Sequence, residues 1–79
     1  MKVELATPQR GTSWPSLVSD ITEVGDENGK PFPIEKSAQI RTVISADIKP
    51  RYPNRVYKAN KRVVEGKTVL WVYLKEYVD

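Results

Sequence analysis

The last third of the chain alternates apolar and polar residues with the period of two that marks a half-buried strand. Two β-rich runs, about 55–64 and 67–75, are separated by Glu65 and Gly66, and Gly66 can take the positive φ of a tight turn. A two-residue loop sets Val64 opposite Lys67; Arg62 then opposes Val69, Asn60 opposes Trp71 and Lys58 opposes Tyr73. One face of this hairpin carries Lys58, Asn60, Arg62, Val69, Trp71 and Tyr73. The other carries Tyr57, Ala59, Lys61, Val63, Leu70, Val72 and Leu74, and it is the core face because it holds most of the aliphatic area. Trp71 is nevertheless expected to be buried, packed under the segment around Trp14, since a Trp in a strand of a small domain is usually core.

Upstream, Ile40, Val43, Ile44 and Ile48 share one helical face, Ser37 can cap its start, and Pro50 biases the chain out of helix just before it. The spacing predicts one main helix over about 37–48. A strand is the rival, because Ile40, Thr42, Ile44, Ala46 and Ile48 also alternate. Ser13 followed by Trp14, Pro15, Leu17, Val18 and Ile21 reads as a capped short helix within 14–22, against a strand through Leu17 to Val24. GDENGK, residues 25 to 30, has turn composition and reads as an acidic loop tip, and PFPI after it can form only an edge strand. Val3 and Leu5, alternating with Lys2 and Glu4, read as a short first strand. The fold class expected is α+β: a small antiparallel sheet with a C-terminal hairpin, packed on one main helix in a single domain, 1–79.

Length and composition narrow the chemistry. A chain of 79 residues buries only about 60% of its unfolded surface, so the core is thin and a homodimer is an open expectation. With neither histidine nor cysteine, the chain builds no Ser-His-Asp or Cys-His catalytic set and no zinc site of nitrogen and sulfur ligands. Asp20, Glu23, Asp26 and Glu27 miss the spacing of a calcium loop. Gly25 to Lys30 has three residues between its glycines where a phosphate loop needs four, and Pro31 where that loop needs Ser or Thr. No enzyme activity, cofactor or metal is expected. No apolar run reaches the length of a membrane span and the N-terminus lacks a signal-peptide core, so a cytoplasmic protein with no membrane partner is expected.

Net charge hides an asymmetry. Residues 1–35 sum to −3, residues 36–67 to +7 and residues 68–79 to −1. Lys49, Arg51, Arg55, Lys58, Lys61 and Arg62 fall in a stretch with no acid at all, interleaved with Tyr52 and Tyr57. Lysine and arginine displace counterions from phosphate backbones and aromatic faces stack on bases, so this composition points to DNA or RNA. Together with Arg41 these six are the expected phosphate contacts; Gln39, Arg41 and Ser45 are the expected groove contacts. The bland reading is a solvated edge that keeps the hairpin from sticking to its neighbours. The rival function is a protein-interaction module, such as an inhibitor of a host nucleic-acid enzyme or defence system, with Asp20, Glu23, Asp26 and Glu27 as its contact loop.

A helix followed by a basic hairpin, residues 36 to 75, resembles the recognition helix and wing of winged-helix proteins, without the first helix pair of that family. PFPI, SAQIRTVISADI, NRVYK and EGKTVLWVYL, taken in order, also resemble small bacteriophage accessory proteins with a basic, Trp-containing hairpin. These resemblances imply a phage or mobile-element accessory factor whose helix meets a groove and whose hairpin meets backbone.

Overall fold

A computed structural model describes residues 5 to 78; the expected strand around Val3 falls largely outside them. The fold is α+β. Three strands, β1 (Lys30–Phe32), β2 (Arg55–Val64) and β3 (Lys67–Tyr77), form an antiparallel sheet in the order β1-β3-β2. Helices α1 (Trp14–Ser19), α2 (Ser37–Val43) and α3 (Lys49–Arg51) complete the domain.

The hairpin has the expected register throughout, from Val64 opposite Lys67 to Lys58 opposite Tyr73. Its turn decides this. Glu65 sits at φ 50° and Gly66 at φ 78°, the two positive values of a type I′ turn, whose twist matches that of the flanking strands. Glu65 carries a Cβ into the left-handed region and lacks the short side chain that lets Asn rest there. Glu65→Asn is therefore expected to stabilise the protein by about 0.5–1 kcal/mol, read as a rise of a few degrees in melting temperature.

Alternation then assigns the faces. Tyr57, Leu70, Val72 and Leu74 point into the core, where they meet Val18, Ile21, Phe32, Ile40, Val43 and Ile48. Val63 lies beyond the helices and is 68% exposed, so the core face is dry only as far as the helices reach. Trp71 departs from its expected burial. It is half-buried on the opposite face, beside Pro31 and Asn60, because the pleat that turns Leu70 and Val72 inward turns Trp71 outward. Trp14 meets Phe32 instead, with ring centroids 6.1 Å apart.

Ser13 caps α1 as expected, its hydroxyl accepting from the Ser16 amide, but the helix stops at Ser19 and does not reach residue 22. The main helix is longer than its apolar stripe predicts. A 3-10 turn at Ile34–Lys36 leads into α2, a π turn spans Ile44–Ile48, and α3 ends at Arg51, so Pro50 lies inside helical backbone. Proline has no N–H and its ring crowds the carbonyl one turn back. Here the preceding turn is widened, with the Lys49 amide bonded to the Ile44 carbonyl, and that local unwinding accommodates the ring.

Tyr57 closes the core at one end. Its hydroxyl donates to the Ile21 carbonyl at 2.7 Å and accepts from Arg55 Nη1 at 3.1 Å. Burial pushes its pKa up, and the Arg55 hydrogen bond works in the opposite direction. Because the folded value is the higher one, this contribution to stability is whole below the unfolded-chain value of about 10 and is lost as pH rises through the folded value. Tyr57→Phe is expected to cost about 1–3 kcal/mol near neutral pH, since Arg55 and the Ile21 carbonyl lose a partner, and to make denaturation above pH 10 less steep. Urea melts across an alkaline pH series measure both.

Candidate nucleic-acid interface

The cations expected to contact phosphate do not form one set. Arg55 is bound into the fold: Nη1 also donates to the Ser19 carbonyl at 3.0 Å, and the guanidinium lies 4.2 Å from the Tyr52 ring centroid. It ties α1 to β2 through Nη1, a structural task that fixes the guanidinium against the fold. Arg62 is likewise engaged. Its Nη2 meets Asp26 Oδ2 at 2.6 Å, and its guanidinium sits 4.7 Å from the Trp71 ring centroid.

This last contact changes the reading of the acidic loop. Residues Asp26–Asn28 form a 3-10 turn laid against β3, with the Asp26 carbonyl accepting from Trp71 Nε1 at 2.7 Å. Gly29 permits the approach. A Cβ there would stand 2.6 Å from both Trp71 Nε1 and the Val72 carbonyl oxygen. The loop is thus packed structure, held by a hydrogen bond, an ion pair and a cation–π contact in which both charged partners keep access to water. Of the other acids, Asp20 and Glu23 line a shallow depression with Lys30, and Glu27 folds back toward Gly25.

Arg41, Lys49, Arg51, Lys58 and Lys61 remain exposed, and among the described residues none has an acidic partner. Arg41 and Lys58 stand on opposite walls of an open crevice where α2 passes β2, with Ile44, Tyr57, Ala59 and Asn60 as its remaining lining. The crevice continues past Ile44 and Tyr57 to Ser45, Ile48, Lys49 and Val56. Lys61 follows two residues beyond Ala59 on the same strand face. Arg51 lies apart, beside Ser13, Ser16 and Tyr52.

The three expected groove contacts also separate. Arg41, Ser45 and Lys49 recur every four residues toward β2, whereas Gln39 is two residues, about 200°, round the helix from Arg41. Sequence reasoning missed Ile44, Asn60 and the outer edge of β2 as parts of this place. The Tyr52 to Arg55 spacing of three could have signalled that Arg55 is occupied, but nothing local marks Arg62 or Arg55 as bound by residues 36 positions away.

No family model, curated protein or solved structure gives a match to this chain. Among the described residues no helix is long and apolar enough to cross a membrane, and no group of three or more carboxylates could hold a metal ion.

Proposed function

We propose that the protein binds nucleic acid without catalysing a reaction on it, through phosphate contacts from Arg41, Lys49, Lys58 and Lys61. What supports this most is that these four cations are carried by the main helix and the edge strand β2, and are all exposed without an acidic partner among the described residues. Arg41 and Lys49 stand on the main helix, Lys61 on the helix-side face of β2 and Lys58 on its other face. Phosphates spaced along a strand satisfy such a set, and the counterions they release provide the driving force. Arg51 extends the basic surface round the end of the helix. The order of a helix followed by a basic, Trp-containing hairpin supports a place among phage or mobile-element accessory factors.

Anisotropy of labelled duplex DNA, single-stranded DNA and RNA over a salt series tests this. Four phosphate contacts on duplex DNA give a log-log salt slope of about −3.6. Absence of binding to all three at low salt would sink the proposal. A protein-interaction module is the second reading, favoured by one observation: the acidic turn at Asp26–Asn28 is ordered against β3 and could present Glu23 and Glu27 on a fixed frame.

A further inference from the structure

β2 is an edge strand, ten residues long, and nothing among the described residues pairs with its outer side. The type I′ turn fixes which backbone groups that side offers. The residues flanking a two-residue loop exchange both hydrogen bonds, so Val64, Arg62, Asn60 and Lys58 face β3 with their amides and carbonyls. Ala59, Lys61 and Val63 therefore turn theirs outward. This row of donors and acceptors borders the crevice beside α2, whose lining includes Ile44 and Tyr57 and whose walls carry Arg41 and Lys58.

Three features thus coincide: free strand hydrogen-bonding groups, an apolar floor and flanking positive charge. Phosphodiester backbone uses the charge and can accept from the free amides, but it leaves the free carbonyls and the apolar floor unused. An extended polypeptide uses all three, by adding as a fourth strand, setting alternate apolar side chains on the floor and presenting carboxylates to the walls. We infer that the crevice between α2 and β2 is a strand-addition site for an acidic, extended peptide segment of a partner protein.

A second copy of this chain fits the site poorly. β2 carries Arg55, Lys58, Lys61 and Arg62 and no acid, so two β2 edges laid together would set like charges against each other. The lysines on this edge discourage self-pairing and at the same time select an acidic occupant. The inference does not rest on nucleic-acid binding. Arg41 and Lys58 would serve both ligands, so the peptide and nucleic acid exclude each other from the crevice.

The test uses a capped peptide of alternating valine and glutamate, about seven residues long, and its lysine-for-glutamate counterpart. The glutamate peptide is expected to bind, the lysine peptide not to, and amide exchange at Ala59 and Lys61 is expected to slow on binding. Ala59→Pro removes one outward donor, keeps every charge and leaves the β2 to β3 ladder whole, as proline is tolerated on the open side of an edge strand. It is expected to weaken the glutamate peptide about tenfold or more while leaving DNA affinity unchanged. Exchange protection is read on the native protein, so the inference stays open to refutation even if Ala59→Pro does not fold. Binding of the glutamate peptide with no protection at Ala59 and Lys61 would reduce the site to a charged patch and overturn it. So would failure of that peptide to bind, equal binding of the lysine peptide, or protection of those amides by concentration-dependent dimerisation of the free protein.

Discussion

Replacing Arg41, Lys49, Lys58 and Lys61 together with glutamine is expected to abolish most of the salt dependence of DNA binding. With four phosphate contacts, the native protein should lose about a hundredfold in affinity between 50 and 200 mM salt, while the variant should change little over that range and bind weakly throughout. The side chains of these four residues are exposed and, among the described residues, take no part in the hydrogen bonds or the ion pair that hold the fold, so their loss should leave the melting temperature within a few degrees. Arg55 and Arg62 are excluded for the opposite reason. Their removal would loosen α1 or free the Asp26 loop, and weakened binding would then be indistinguishable from a damaged scaffold. A folded quadruple variant with native affinity and slope would refute the proposed interface.

Phe32→Ala is expected to cost about 3–5 kcal/mol. At the usual 0.05–0.15 kcal/mol per residue, the whole domain is worth about 4–12 kcal/mol, so this one change should remove at least about a quarter of its stability. The ring is fully buried, lies opposite Leu70 on the central strand and meets Trp14 from α1, so its removal opens a cavity where sheet and helix join. Val63→Ala is the matched control. Val63 is also apolar and in the sheet, but its exposure should confine the effect to about 0.5 kcal/mol. Denaturant melts compare the two; a Phe32→Ala loss as small as that of Val63→Ala would mean that the core is not where this structure puts it.

The hairpin was legible because its information is local: Glu65 and Gly66 define the turn, the turn defines the register, and alternation defines the faces. The same alternation contradicted the expectation that a large ring must be buried, and for Trp71 it prevailed. The helix end was misread because proline was treated as a stop, whereas the π turn at Ile44–Ile48 lets the backbone run through Pro50. The charges were the least legible part. A run of cations looks uniform in sequence, yet Arg55 and Arg62 find partners 36 residues upstream, while Lys58 and Lys61 between them find none among the described residues. Whether a basic residue is fastener or bait depends on what long-range packing brings beside it.

The strand order carries a consequence for how the chain assembles as it is made. β3 is the last strand in sequence and the middle one in space, and β1 and β2 have no hydrogen bonds to each other. On a ribosome, therefore, the helices can begin to form early, but every sheet contact waits until residues 67–77 have left the exit tunnel. Any nascent chain stalled before Lys67 holds two unpaired strands and an open apolar helix face. Sheet formation is therefore one step, in which β3 pairs with both of its neighbours.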